Sequence, residues 1–595
     1  MFQTFTANTS PDDGPPRLTA LRAVMKDHEL DGFLVPRADA HQGEYVAPRD
    51  ARLAWLTGFT GSAGFAAILT KIAGVFIDGR YRVQVKSQVA DVFTPVPWPE
   101  TKLADWLIQH LSAGAVVGFN DWLHTQSEID RLSERLAAHE ITLKPVDNLV
   151  DSIWADQPVP PTGKITPYPL EFAGESHADK RARIAATLRA DGQDATVLTL
   201  PDSIAWLLNI RGTDIERNPV AHAFAILHHD ASVDLYVFGD KAGGLGAHLG
   251  ADIRAHPVAD FEPALGALTG TIRVDPATAP ARVFTTITAK IARADDPCIL
   301  PKACKNATEI AGTRAAHLRD AAAMVEFLAW LDAQAPGTLT EIGVVKELEA
   351  RRRATNALRD ISFETISGAG PNAAIVHYRV TEDTDRAVKS GELLLVDSGG
   401  QYLDGTTDIT RTIAIGPQPD IHRHCFTRVL QGMIAISRAR FPKGLAGRDL
   451  DALARFALWT AGLDYDHGTG HGVGVYLSVH EGPQRISRVS EVALKPGMIL
   501  SNEPGYYREG AFGIRIENLI VVQDAAPIKG ADPRDMLDFE TLTWVPIDRR
   551  LIVTDLLSPD EHAWINAYHK AVFDKLADSV GAHARDWLEQ TTAPL

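Results

Sequence analysis

Five side chains that emerge from apolar runs carry the chemistry for which this 595-residue sequence can be read. Asp397 closes the run LLLV, and Asp408 lies in the return strand of the same segment, GELLLVDSGGQYLDGTTDITRTIAIG. Glu503 ends the aliphatic run of MILSNEPGYY, and Glu517 stands among Ile514, Ile516 and Leu519 in FGIRIENLIVV. His471 adds an imidazole. An aspartate behind four aliphatic residues is badly placed for packing, because burying an unpaired carboxylate is very costly, so a cation is expected. Either aspartate alone reads as a turn or surface acid. It is the repetition of the arrangement that argues for a site. Hard oxygen donors with one nitrogen suit manganese, cobalt, iron or zinc better than copper, and the lack of cysteine nearby argues against a purely structural zinc. Four carboxylates balance two divalent cations, and two metals about 3.5–4 Å apart activate a bridging water for hydrolysis.

His467 to Pro483, HGTGHGVGVYLSVHEGP, places three histidines on a glycine-rich scaffold. His467 and His471, four apart, would share a helix face, which is how helical zinc motifs present two ligands. Gly468, Gly470, Gly472 and Gly474 oppose a helix. They predict a loop or extended segment in close backbone approach to something. The two histidines then need not share a role; the competing reading is a surface turn with incidental histidines.

The elements that must position these groups follow from the rest of the chain, whose length suggests about three or four domains. The net charge of −17 opposes unspecific attraction to nucleic acid or anionic membrane. No apolar run of about twenty residues is long enough to span a bilayer. Three cysteines make no disulfide framework, and the N-terminus resembles neither a secretory signal nor a transit peptide, so a soluble cytoplasmic protein is expected. Residues 1 to about 16 read as a mobile lead-in. Leu18, Leu21, Val24 and Met25 recur at helical spacing before the strand Phe33 to Val35. AWLTGFTGSAGFAAIL and GVFIDGRY then read as strands with glycine turns, and Ser62 as a turn serine. Residues 156–174 carry five prolines and read as a linker. Beyond it the pattern recurs: a helix with Ile184 and Leu188, the strand Thr196 to Leu200, and AWLLNIRG echoing AWLTGF, with Trp206 in the place of Trp55. Two copies of one α/β module are inferred, and neither has a G-x-G-x-x-G dinucleotide fingerprint. From Lys305, a long amphipathic helix carries Ile310, His317, Ala321, Met324, Leu328 and Leu331 on one face, His317 as a packed core histidine. Two further helices follow, one with Asp420 as N-cap and one stopped by Gly462.

The set DSGGQYLDGTTDITRT, HGTGHGVGVYLSVHEGP, SNEPGYY and GIRIEN closely resembles the pita-bread metallopeptidases, in particular the long three-domain Xaa-Pro aminopeptidases. The resemblance covers essentially the whole chain. It implies two related N-terminal α/β (creatinase-like) modules, residues 1–160 and 161–304, followed by an α+β pita-bread catalytic domain with a C-terminal extension, residues 305–595. Carried over by position, it implies Asp397, Asp408, His471, Glu503 and Glu517 as ligands of two divalent ions, Mn2+ first with Co2+ or Zn2+ as alternatives, Asp408 and Glu517 bridging. It implies that His377, His467 and His480 face the substrate or pass protons, and that Arg515 bonds within the site. The implied reaction is hydrolysis of the bond before a penultimate proline by a bridging hydroxide, with Glu503 as proton acceptor. Peptide substrates and a homodimer are implied, with WVPIDRRLIV and the helix after it as the contact. The rivals are a prolidase restricted to Xaa-Pro dipeptides and a non-catalytic peptide-binding module.

Overall fold

The structure, a computed structural model, describes residues 1–595 and divides into two compact units, Asn8–Lys302 and Met1–Ala7 with Ala303–Leu595.

The first unit holds two six-stranded sheets of identical topology. Strands β1 (Gly32–Pro36), β2 (Phe65–Leu69), β3 (Ala73–Ile77), β4 (Thr94–Pro97), β5 (Val116–Phe119) and β6 (Thr142–Pro145) lie in the order β4-β3-β2-β1-β5-β6. Strands β7 (Ala195–Leu198), β8 (Ala223–His228), β9 (Val233–Val237), β10 (Ile253–Pro257), β11 (Thr271–Val274) and β12 (Lys290–Arg293) repeat it as β10-β9-β8-β7-β11-β12. Each sheet is antiparallel across its three central strands and parallel outward on both sides. The strands are short apolar runs such as FAAIL and ATVL, as expected where both faces are covered.

The AWLT stretches are not strands. They form the helices α2 (Arg52–Thr57) and α4 (Pro201–Leu208), following the longer α1 (Gly14–Asp27) and α3 (His177–Ala190). Periodicity over six residues cannot separate a buried helix from a strand; left-handed caps at Gly58 and Asn209 end both. The repeat extends to detail. Arg17 of α1 lies over Trp55, and Lys180 of α3 over Trp206, each 4.5 Å from the ring centre.

The second unit begins at the N-terminus, and here the expected mobile lead-in is overturned. Gln3 exchanges hydrogen bonds with Thr365, and Phe5 packs with Ile342, Val345 and Tyr378. Two apolar or amide side chains with defined partners suffice to order residues that composition alone describes as a tail. Helix α5 (Ala307–Asp332) starts from a capping box of Asn306 and Glu309 and buries His317, Ala321, Met324, Leu328 and Leu331. His317 is a core histidine, its Nδ1 2.7 Å from the Thr313 carbonyl. Helix α6 (Glu341–Arg353) follows, and the strands β13 (Ile366–Ala369), β14 (Leu393–Ser398) and β15 (Ile409–Ala414) form one antiparallel sheet. Helix α7 (Asp420–Ser437) is entered from Pro419, so that Asp420 is its first residue and not its cap. Helix α8 (Arg448–Trp459) packs beside it, and the chain reverses at Gly462, which is left-handed (φ 71°).

A second sheet gathers strands β16 (Gly470–Gly472), β17 (Glu481–Ile486), β18 (Ile499–Asn502), β21 (Asn518–Asp524) and β22 (Met536–Thr541) in the order β22-β21-β18-β16-β17. A hairpin of β19 (Gly505–Arg508) and β20 (Phe512–Arg515) sits between β18 and β21 in sequence. The tail segment WVPIDRRLIV turns inward: Val545, Ile547, Leu551 and Ile552 belong to the same core cluster as α5 and α7. These four side chains are therefore taken up by their own fold, while Trp544, Asp548, Arg549 and Arg550 of the same segment keep accessible surface.

Candidate metal centre

The carboxylates converge because two antiparallel strand pairs end at one place. Asp397 lies in β14 opposite Thr410 of β15, and Asp408 immediately precedes β15 rather than lying inside it. Glu503 follows β18, and Glu517 occupies the break between β20 and β21, where its N–H bonds the Thr410 carbonyl at 3.1 Å. The apolar neighbours of Glu517 suggested a continuous strand; the chain leaves the hairpin there and changes sheets.

His471 is in β16, extended and not helical. The glycines around it permit the close backbone approach that the sequence implies. A Cβ on Gly470 would stand 1.9 Å from the Ser501 carbonyl, and one on Gly472 2.4 Å from that of Glu481. They let β16 be inserted between β18 and β17. The His471 Nδ1 lies 2.9 Å from the Gly472 carbonyl, which leaves Nε2 at 3.4 Å from both Asp408 Oδ2 and Glu503 Oε1. Donor atoms of Asp397, Asp408 and Glu517 lie within 4.8 Å of one another, as do those of His471, Glu503 and Glu517, and of Asp408, His471 and His480.

The electrostatics describe a set of acids short of positive charge. Burial raises Asp397 to about 6 although the Arg515 guanidinium pulls it down, and Asp408 adds to the rise. Burial also raises Glu517 well above the usual carboxylate range, helped by Asp408, Glu503 and Asp397. Burial lowers the His471 imidazole, but Asp408 and Glu503 outweigh it and carry it up to about 9. One oxygen on each of Asp397, Asp408 and Glu517 is buried without a hydrogen-bond partner. Three orphaned oxygens within one cluster of acids, with His471 Nε2 beside them, fit divalent cations, which would balance the charge that protons otherwise must.

A surrounding network orients these donors. Arg515 Nη2 donates to Asp397 Oδ2 at 2.5 Å, Nη1 to the Tyr507 hydroxyl at 2.7 Å and Nε to Thr410 Oγ1 at 3.2 Å. Thr410 donates to Glu517 Oε2 at 2.8 Å, and Ser501 donates to Glu503 Oε1 at 3.0 Å while accepting the His471 N–H. His467 has both ring nitrogens engaged, Nδ1 2.7 Å from the Gly468 carbonyl and Nε2 2.9 Å from Tyr507 Oη. The His480 ring lies 4.2 Å from that of His471. His377 is half-buried on the turn after the 3-10 segment Gly370–Ala374, which packs so tightly on β20 that a Cβ on Gly513 would stand 1.8 Å from the Ala373 carbonyl.

Thr410, Arg411, Ser501 and Tyr507 escaped the sequence reading. A signal existed for the first two: Thr410-Arg411-Thr412 is a polar triplet in the middle of an apolar strand. Arg411 is 2% exposed and donates to the carbonyls of Thr410, Glu517, Val545 and Pro546, to Asn518 Oδ1 and to Tyr568. It thereby holds the backbone of Glu517.

Metallopeptidase family M24 matches residues 311–524, and its C-terminal region residues 535–595. The creatinase/prolidase N-terminal domain matches twice, at residues 17–153 and 156–309. A probable Xaa-Pro aminopeptidase P of Talaromyces stipitatus is 38% identical, the match covering 99% of this chain and 93% of that protein. The chain belongs to the Xaa-Pro aminopeptidase P family of M24 metallopeptidases. Aminopeptidase P1 of Arabidopsis thaliana is 37% identical across 97% of this chain and 99% of its own. The X-prolyl aminopeptidase of Caenorhabditis elegans, described as a cytosolic enzyme with a di-nuclear active site, superposes with a TM-score of 0.92 at 31% identity over 98% of this chain and 99% of that one. The prolidase of Pyrococcus horikoshii, at 22% identity and a TM-score of 0.51 over 62% of this chain, shares the fold. The family's two-module and pita-bread architecture is thus the one described above, and its metallopeptidase character matches the acid cluster.

Proposed function

We propose that this chain hydrolyses the peptide bond between an N-terminal residue and a penultimate proline. The convergence of Asp397, Asp408, His471, Glu503 and Glu517, three of them with orphaned buried oxygens, carries the reading. These five residues would hold two divalent cations, and the assignment of Asp408 and Glu517 as the shared ligands rests on the family resemblance. The oxygen-dominated donor set favours Mn2+, with Co2+ or Zn2+ able to replace it. When bound, the cations supply a nucleophilic water at neutral pH and polarise the scissile carbonyl.

The chain's own residues do the rest. Glu503, whose Oε1 is fixed by Ser501, is the proton acceptor, and Ser501 leaves its other oxygen to receive the proton. His480, against His471 and Asp408, stabilises charge on the substrate oxygen. Arg515 keeps one Asp397 oxygen occupied and so directs the other inward. His467 acts through Tyr507 as a positioning residue; a direct contact with substrate requires Tyr507 to release its Nε2. His377 lines the substrate side from the turn beside β20. A prolyl bond has no N–H, so recognition rests on ring shape.

The decisive test is a peptide-length panel with Mn2+-loaded protein. Cleavage of Arg-Pro-Pro with release of arginine is expected; cleavage of Gly-Pro alone identifies a prolidase. Loss of transition metal together with no hydrolysis after Mn2+ addition identifies a peptide-binding module. The cytosolic description of the nematode relative supports a cytoplasmic location. A homodimer follows from the family resemblance, and light scattering in solution tests it.

A further inference from the structure

A second cluster of ligand-type side chains lies in the N-terminal unit, at the meeting of its two modules. Asp39 follows β1, Asp50 ends the turn Pro48–Asp50 before α2, and His222 precedes β8 of the second module. One donor atom of each lies within 4.8 Å of the others.

Asp39 is 2% exposed. Its Oδ1 accepts the N–H groups of His41 at 2.9 Å and Gly43 at 3.3 Å. Its Oδ2 stands 3.1 Å from His222 Nε2, yet the ring N–H does not point along that line, and Oδ2 remains a buried oxygen without a hydrogen bond. Two atoms bound to one zinc ion at about 2.0–2.2 Å stand about 3–3.4 Å apart. The spacing and the poor alignment therefore suit two ligands of a common ion better than a donor and its acceptor.

His41 flanks the cluster, its ring also stacked on Phe224 at 4.4 Å. Its ring lies 4.4 Å from that of His222, and its Nδ1 is 3.1 Å from the Thr199 carbonyl, which fixes the tautomer and leaves Nε2 as an acceptor. All four residues line one cavity of about 210 Å³.

Charge points the same way. Asp50 Oδ1 accepts from Arg52 at 2.9 Å, and the same guanidinium makes a two-pronged bond to Asp151. One Arg52 cation thus serves both Asp50 and Asp151, and the group facing Asp39 Oδ2 is His222. Lys241, also on the cavity wall, is already spent on the buried Asp214, and Arg49 is turned to the Pro158 carbonyl.

We infer that Asp39, Asp50 and His222, flanked by His41, form a zinc-binding site that staples the two N-terminal modules together. Two carboxylate oxygens with imidazole nitrogen suit Zn2+ over Mg2+ or Ca2+. The site is separate from the catalytic carboxylates, so it stands or falls independently of the proposed reaction.

The test uses the full chain carrying Asp408→Asn and Glu517→Gln, which removes the catalytic ions from the count. After loading with Zn2+ and desalting, elemental analysis is expected to find about one zinc per chain, and Zn2+ is expected to raise the melting temperature. Adding Asp39→Asn, or separately His222→Gln, is expected to remove both the zinc and the shift. Asp39→Asn keeps the Oδ1 bonds to His41 and Gly43, which protects the fold. No zinc in the parent, or zinc and a melting shift unchanged by either substitution, overturns the inference.

Discussion

The strands of the two N-terminal sheets and those that carry the acid cluster are buried to a similar degree but are written in different alphabets. β2 reads FAAIL and β7 reads ATVL, whereas β15 reads ITRTIA with all six residues buried. Polar residues survive in the middle of β15 because each has a partner: Thr410 bonds Glu517 and Arg515, Arg411 bonds carbonyls, and Thr412 exchanges bonds with the Arg515 backbone. An apolar strand contributes to stability through area removed from water, and any side chain of similar shape serves. A polar buried strand is tied to particular partners, and the loss of one leaves another exposed to full desolvation cost. In this chain the second kind of strand marks where chemistry is held.

That contrast can be broken or sharpened by substitution. Glu517→Gln removes one shared ligand, and we expect kcat/KM to fall by about 10³-fold or more with loss of bound metal. In metal-free protein the same change should raise the melting temperature, because a buried, mutually repelled carboxylate is gone. A lower melting temperature there would show that the acids are stabilised by something other than cations. Arg411→Met strands several buried carbonyls and should cost about 3–5 kcal/mol in denaturant unfolding. Ile68→Ala in β2, fully buried, should cost about 2–5 kcal/mol in the N-terminal unit while leaving kcat unchanged. A comparable loss of kcat would erase the distinction between the two kinds of strand.

Smaller effects probe the supporting shell. Arg515→Lys cannot span Asp397, Thr410 and Tyr507 at once, and metal affinity measured by titration should weaken about 10–100-fold. His569 tests stability against pH. Burial lowers its pKa to about 3, while Nε2 accepts the Ile547 N–H at 3.1 Å. Between the ordinary histidine value of 6.5 and about 3 the unfolded chain binds a proton that the folded chain refuses, so stability falls as pH falls through that window. The slope is at most about 1.4 kcal/mol per pH unit, and His569→Gln should flatten it in unfolding curves taken from pH 6.5 downward. An unchanged slope would assign the acid limb to other groups.

Much of the site was legible in the sequence because a carboxylate behind an aliphatic run is a local conflict, and conflicts of that kind signal function. Asp397 and Glu503 show it directly, and the motif resemblance joined them to Asp408, His471 and Glu517. The fold class was legible for the same reason, since apolar runs, helical stripes and the AWL echo are local patterns. What failed was local as well as global. Six residues of AWLT-type sequence do not carry enough period to separate helix from strand, and the prolines and acids near the N-terminus outweighed two anchors, Gln3 and Phe5, whose partners lie beyond residue 340.

Residue types and their order determined which groups must escape from or be paired within the interior: the acids, His471 and the long amphipathic helix. Only the tertiary structure decided how they are held. It inserted β16 between its neighbours through Gly470 and Gly472, spent His467 on Tyr507, turned WVPIDRRLIV into its own core, and brought Asp39, Asp50 and His222 together across two modules. Burial costs are written into single residues and their neighbours in sequence. Distances between side chains far apart in the chain exist only once the backbone has paid its entropy and closed around them.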